Sequence, residues 1–297
     1  MALSNKLIIS CCLCGAATTK EQAPTVPYYP EEIARQTVEV AKAGAAIVHI
    51  HVRKDKLAEN GTVEVAGFKS MDLGMFSQSV ELARKYCNEA GIDVVINLTT
   101  SGGEYEDEKR LAHLEALRPE MCSFDPGTLN WANSFIFENS PRFLNKLGEQ
   151  VVKLDVKPEF EVFDTGHIDS VLYYCNKWNI PQPPYIQFIM GVSGAMPGDT
   201  GNLAFLVNKL PKGSPWSVSG IGKSHMAMML AGLSLGCDGL RVGLEDNIIY
   251  GYESGKKIIG TNLSLVERAV QLGKFVGREI ATAQEARDIL GITRKCL

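Results

Sequence analysis

Two rhythms of hydrophobic and polar residues alternate along the chain. Short apolar runs rich in β-branched and aromatic residues predict strands at residues 6–14, 45–52, 94–99, 121–125, 160–164, 186–191, 216–220 and 239–244. Between them apolar residues return every three or four positions. That spacing predicts helices at 30–44, 73–91, 106–117, 140–154, 167–179, 200–210 and 223–236, with a last pair at 262–278 and 282–291. Pro30 at a helix start and Gly44 and Gly91 at helix ends are the expected punctuation. Eight strand–helix units predict an α/β protein, a (β/α)8 TIM barrel with extra C-terminal helices. No repeat, low-complexity tract or linker divides residues 1–297, so one catalytic domain is expected. The rival, a doubly wound open sheet, lacks its Gly-x-Gly-x-x-Gly turn after the first strand.

Successive side chains of a barrel strand face the helices or the axis. If the more apolar set packs on the helices, the axial set is Ser10, Cys12, His49, His51, Asn97, Thr99, Ser123, Asp125, Glu161, Gln187, Ser217, Ser219, Arg241 and Glu245. So many buried polar groups are costly unless they bind one another, water, a metal or a substrate. Most fall near the C-terminal ends of their strands, where barrel enzymes assemble their sites.

The most informative stretch is Val-His-Ile-His-Val-Arg, residues 48–53. His49 and His51 share one face, their Cα atoms about 6.5–7 Å apart at twice the strand rise. Two imidazoles can converge on one cation from there. In Leu-Arg-Val-Gly-Leu-Glu-Asp, residues 240–246, Arg241, Gly243 and Glu245 share a face. Barrel closure sets the last strand beside the first, so Glu245 can supply a third ligand. Two histidines and a glutamate with open positions suit catalytic zinc, and they also resemble the facial triad of non-haem iron. The competing reading is a pair of hydrogen-bonded core histidines. His113, in a charged helix, is expected at or near the surface. His167 and His225 follow strand ends, where capping and mouth contacts fit equally well.

Composition narrows the partners. The chain is 45% hydrophobic and 22% charged with a net charge of -4, and no dense Lys/Arg run suggests nucleic acid or an anionic membrane. Small molecules are the expected partners. The apolar N-terminal run reads as a first barrel strand rather than a secretion signal, which points to a cytoplasmic protein. Cys11, Cys12 and Cys14 cluster, but no second pair at a zinc spacing follows, so the eight cysteines read as small buried thiols.

Taken with the segments GAATTKEQAP, TTSGG, RPEMCSFDPGTLN, PEFEVFDTGHI, IQFIMGVSGAMPG and WSVSGIG, the stretches GAAIVHIHVR and RVGLEDNIIY resemble the β-keto acid cleavage enzyme family, whose founding activity is 3-keto-5-aminohexanoate cleavage. The resemblance runs nearly end to end. It implies a zinc-dependent (β/α)8 barrel, a homotetramer, converting a β-keto acid and acetyl-CoA into acetoacetate and a new acyl-CoA. It also implies that His49, His51 and Glu245 ligate zinc and that Asp246, Glu161 and Arg241 form the acid/base group. Thr100, Gly103 and Ser123 would hold the substrate's carboxylate and keto end. Ser101 in the same turn and Asp125 at a strand end join them as substrate-binding candidates. Asp246 would take the C2 proton, and with no covalent enzyme intermediate Cys122 and Cys237 need no nucleophilic role.

Each of these has a plainer alternative. Arg241 and Glu161 could form a structural ion pair, and TTSGG could be an ordinary strand-to-helix turn. The glycine-rich GVSGAMPGDTGN lacks the Lys-Ser/Thr of a phosphate loop and is expected at the mouth, bordering a CoA channel. One departure from the family bears on specificity: Ala17 stands where the founding activity has a glutamate for the substrate's amino group. A methyl group cannot neutralise an ammonium, so a substrate lacking a cationic amino group is expected. A class II type metal aldolase or lyase without CoA, a metal hydrolase, and a non-enzymatic binding barrel are the competing functions.

Overall fold

A computed structural model describes residues 2–293. Eight parallel strands close on themselves: β1 (Lys6–Cys12), β2 (Ile47–Ile50), β3 (Val95–Leu98), β4 (Met121–Phe124), β5 (Lys157–Val162), β6 (Tyr185–Met190), β7 (Trp216–Gly220) and β8 (Gly239–Val242). Each pairs with the next, and Ser10 of β1 stands beside Arg241 of β8 to complete the circle. This is the (β/α)8 barrel that the alternating pattern predicts.

The helices are α1 (Pro30–Ala43), α2 (Leu73–Ala90), α3 (Asp107–Leu117), α4 (Pro141–Leu154), α5 (Thr165–Trp178), α6 (Thr200–Val207), α7 (His225–Leu235), α8 (Asn262–Phe275) and α9 (Ala283–Leu290). Their ends follow local chemistry. Asp72 accepts from the Met75 N–H and Ser140 from the Phe143 N–H, each supplying an acceptor to a helix start that has none of its own. Among the described residues none of these helices is long and apolar enough to cross a membrane.

Strand alternation separates two apolar layers. Ile9, Val48, Leu98, Phe124, Phe160 and Val218 face outward into the layer under the helices. Ile8, Ile47, Val95, Met121 and Tyr185 point to the axis at the N-terminal end, where Ala283, Ala286 and Leu290 of α9 close the barrel from below. The short strand Glu279–Ile280, paired with β1, leads the chain into that position. Above this plug the axis is polar. Ser10, His49, Asn97, Glu161, Ser219 and Arg241 are all buried.

Three antiparallel hairpins were not foreseen from the sequence pattern. Val52–Leu57 pairs with Val63–Ser70, Leu129–Trp131 with Phe135–Phe137, and Ile249–Glu253 with Lys256–Ile259. The strands of the first and third mix charged and apolar residues, and those of the second are only three residues long, so no extended apolar run announces them. Asn60-Gly61 in the first and Ser254-Gly255 in the third are the local signals, dipeptides suited to tight hairpin turns. β5 also begins earlier than the predicted 160–164, because Pro158 interrupts the apolar run yet is accommodated beside Cys122 of β4.

Candidate active site

The mouth of the barrel holds a cavity of about 1020 Å3 including its opening to solvent. Its floor is formed by His51, Glu161, Arg241, Glu245 and Asp246. Its walls come from the loop after β1 (Ala16, Ala17), the turn after β3 (Ser101–Gly103) and the first two hairpins.

His49 and His51 share the axial face of the second unit, with ring centroids 5.1 Å apart. Their Nε2 atoms lie 3.9 and 3.4 Å from Glu245 Oε1. One donor atom from each of the three lies within 4.8 Å of the others. Burial pushes the His49 imidazole down to about 3, so it is neutral and keeps a lone pair. Its contact with Glu245 is therefore no ion pair. Burial alone would raise Glu245, but the nearby His51 and Arg241 hold it well below the usual carboxylate range. A neutral imidazole and an ionised carboxylate are the forms a divalent cation binds. Glu245 Oε2 is buried without a hydrogen-bond partner, a vacancy in the bonding that a cation would fill.

Glu245 and Asp246 reach the site because β8 stops at Val242. The chain then turns tightly, with the N–H groups of Asp246 and Asn247 both donating to the Gly243 carbonyl. In a continuing strand these neighbours would point apart. Gly15 backs Glu245 from the first loop. Its φ is +55° and a Cβ there would stand 2.5 Å from Glu245 Cγ, so only glycine fits.

Arg241, 2% exposed, is the hub of the floor. It donates to Glu161 Oε1 at 2.6 Å, to Glu245 Oε1 at 2.8 Å, and to Asp246 Oδ2 and Oδ1 at 2.9 and 3.0 Å. Burial works against its charge, and Asp246, Glu161 and Glu245 together reverse that effect, so it stays a cation. Ser219 adds a bond to Asp246 Oδ2 at 2.6 Å. Burial drives the Glu161 carboxyl well above its usual range against the opposing pull of Arg241.

The predicted substrate residues divide. Ser101 and Gly103 line the cavity. Thr100 and Ser123 are buried behind them and bond each other: Thr100 N donates to Ser123 Oγ and Thr100 Oγ1 to the Ser123 carbonyl, both at 3.0 Å. Asp125, also buried, accepts from Ser101 Oγ at 2.9 Å. Since Ser101 N donates to Thr99 Oγ1, both donors of Ser101 are engaged. Gly103 admits no side chain, because a Cβ would meet the Glu138 carbonyl at 2.7 Å.

Of the remaining expectations, those for His113 and the glycine-rich loop need correction, while those for His167 and the cysteines hold. His113 is 1% exposed, not at the surface, and stacks on Phe76 of α2 with centroids 4.1 Å apart. His167 Nδ1 accepts from the Phe163 N–H just ahead of α5, a contact of the capping kind. The glycine-rich loop 191–202 packs against Ser224, where Gly198 leaves no room for a Cβ, and it does not line the cavity. Cys11, Cys12 and Cys14 are buried, Cys14 Sγ donating to the His51 carbonyl; Cys296 lies outside the described residues. Sequence reasoning missed Glu159, fully buried one layer below Glu161, whose carboxyl burial pushes up to about 7.

A closed barrel whose C-terminal mouth gathers a His–His–Glu cluster beside an arginine–carboxylate hub belongs to the barrel enzymes that work on small molecules at strand ends. The comparisons sharpen that class. The family model for the beta-keto acid cleavage enzyme matches residues 6–292, and the chain belongs to this family of enzymes. It is 38% identical over 293 residues to the 3-keto-5-aminohexanoate cleavage enzyme of Fusobacterium nucleatum subsp. nucleatum, covering 98% of this chain and 100% of that one. It is 32% identical to the 3-dehydrocarnitine:acetyl-CoA trimethylamine transferase of Rhizobium meliloti, covering 99% of each. Among solved structures, the ternary complex of ObcA with C4-CoA adduct and oxalate is similar in fold. Its TM-score is 0.77 at 22% identity, covering 90% of this chain and 68% of that chain.

Proposed function

We propose that this enzyme exchanges acyl groups between a β-keto acid and acetyl-CoA, giving acetoacetate and a new acyl-CoA, with the whole chain acting as one catalytic barrel. The observation that carries it is a cavity floor where His51 and Glu245 cluster with His49, buried just beneath them, while Asp246 is held beside them by Arg241 and Ser219. The pairing of a keto acid with acetyl-CoA is supported by the names of relatives, such as the 3-oxoadipate:acetyl-CoA acetyltransferase of Cupriavidus necator, 29% identical over 98% of this chain.

His49, His51 and Glu245 are the residues that would hold Zn2+. When bound, the ion supplies a Lewis acid for the substrate's keto oxygen. Asp246 takes the C2 proton at Oδ1. Oδ2 accepts two hydrogen bonds and Oδ1 only one, so Oδ1 keeps a lone pair. Arg241 orients that carboxylate and, through its opposite nitrogen, Glu161, which completes the acid/base group. The substrate carboxylate rests on the backbone at Gly102 and Gly103. Ser101 shapes that turn, and Thr100, Ser123 and Asp125 brace it from behind. Buried thiols take no part. Burial raises Cys122 and Cys237, the latter to about 12, so neither offers a thiolate.

Ala17 lines the cavity and offers no charge to an ammonium, so the substrate lacks a cationic amino group. A homotetramer in the cytoplasm, without nucleic-acid or membrane partners, completes this reading and is supported by the family resemblance and the mild acidity.

The test incubates the purified enzyme with acetyl-CoA and a panel of β-keto acids, aminated and neutral. Acyl-CoA and acetoacetate should form in equal amounts, both lost on chelation and restored by zinc. Keto acid cleavage without CoA would indicate an aldolase, and ester or amide turnover a hydrolase; either result defeats the proposal. A higher kcat/KM for the aminated acid would defeat the specificity assignment.

A further inference from the structure

Below the floor lies a set of polar groups that the roles above leave unused. Glu159 of β5 is fully buried; its Oε2 accepts from Asn97 Nδ2 at 2.7 Å and its Oε1 has no partner. Asn97 of β3 stands in register beside His49 of β2. A carboxylate offers only acceptors, so this bond fixes the amide: its nitrogen faces Glu159 and Oδ1 is left over. Asn97 Oδ1 and His49 Nδ1 are both buried, and both lack partners. The other nitrogen of His49, Nε2, is the one 3.9 Å from Glu245.

We propose that Glu159 and Asn97 are positioning residues that set the tautomer of His49: Glu159 orients the amide, the amide oxygen takes the Nδ1 proton, and the Nε2 lone pair is turned toward Glu245 and His51. The inference rests on the metal reading above. A neutral imidazole has one donor and one acceptor, and a buried amide oxygen left unpaired is costly. The Nδ1–H tautomer satisfies both groups at once. The opposite tautomer sets two lone pairs against each other and points a proton into the ligand cluster. A ring nitrogen of His49 and oxygens of Glu159 and Glu161 also lie within 4.8 Å of one another, which could suggest a second cation. Arg241 Nη1 already occupies that neighbourhood, 2.6 Å from Glu161 and 3.9 Å from Glu159. With a fixed positive charge there, the deeper group orients a ligand and holds no ion of its own.

The experiment uses the full chain with nitrogen-15-labelled histidine. Imidazole nitrogen shifts before and after chelation read the tautomer, competition against a chromophoric chelator reads zinc affinity, and circular dichroism confirms folding. Wild type should show Nδ1–H at His49. In Glu159→Gln the new amide can both donate and accept, so Asn97 can turn over. The tautomers should mix and zinc affinity fall about 10- to 100-fold. The double variant Asn97→Asp/Glu159→Gln keeps the charge and restores an acceptor facing His49, so both readouts should recover. Glu159→Gln with unchanged tautomer and affinity, or a folded double variant no better than the single one, overturns the proposal. If the double variant does not fold, the isosteric single variant decides. A wild type that holds Nδ1–H yet binds no zinc would sink the metal reading and leave the orienting chain standing.

Discussion

Two buried arginines, one at each end of the barrel, show what separates a working site from a structural one. At the base, Arg287 of α9 meets Glu120 at 2.5 Å and Asp93 at 2.7 and 2.9 Å, beneath a closed apolar plug. Its partners are two, its fork is filled, and it is buried. At the mouth, Arg241 faces Glu159, Glu161, Glu245 and Asp246, four carboxyl groups against one guanidinium, and opens on a cavity. Buried negative charge in excess is unfavourable unless protons or a cation offset it. Glu161, pushed well up by burial, shows the proton solution. The partnerless oxygen of Glu245 stands where the proposed Zn2+ would supply the other. The lesson is that the signature of function is the surplus, since a buried arginine–carboxylate pair occurs at both ends.

The contrast can be broken most forcefully at the mouth. Glu245→Ala should abolish zinc content and lower turnover by at least about 1,000-fold, judged against the loss of a single transition-state contact. Its melting temperature should stay near that of metal-free wild type, because Arg241 keeps Glu161 and Asp246. Metal analysis beside a thermal melt checks both halves. Asp246→Asn should retain the ion while kcat drops about 100- to 10,000-fold. Loss of the ion in that variant would undo the proton-transfer assignment. At the base the pattern reverses. Arg287→Met should cost about 3–5 kcal/mol in urea unfolding, because it strands Glu120 in the interior, yet leave kcat/KM per folded molecule unchanged.

The smallest expected effect concerns a histidine belonging to neither hub. Burial lowers His113 from 6.5 to about 3. The unfolded chain therefore binds a proton that the folded chain refuses between those values, and stability present above pH 6.5 is lost as the pH falls. His113→Phe, which preserves the stack on Phe76, should remove this component. At pH 5 the variant should gain on the order of 2 kcal/mol relative to wild type, beyond any difference at pH 8. Parallel unfolding curves at the two pH values would contradict a buried neutral imidazole.

Much of this molecule was legible in its residue pattern. A period of two in the strands and of 3.6 in the helices depends only on local geometry, so the eight units, the α9 segment and the axial set that includes His49, His51 and Arg241 could be read directly. What escaped was set by distant neighbours. Glu159 was hidden behind Pro158, and a strand that tolerates a proline does so only because its partner β4 is in place. His113 looked exposed among charged neighbours, and the Phe76 ring that buries it lies on another helix.

The chain by itself determined the class of fold, the family and the chemical types gathered at one end, because those follow from spacing and side-chain identity. Only the tertiary structure decided that Glu245 and its neighbour Asp246 both reach the floor, and which groups are left without partners. A strand's end, a turn at Gly243 and the sum of buried charge are properties of the closed barrel. They arise when segments far apart in sequence exclude water from the same small volume.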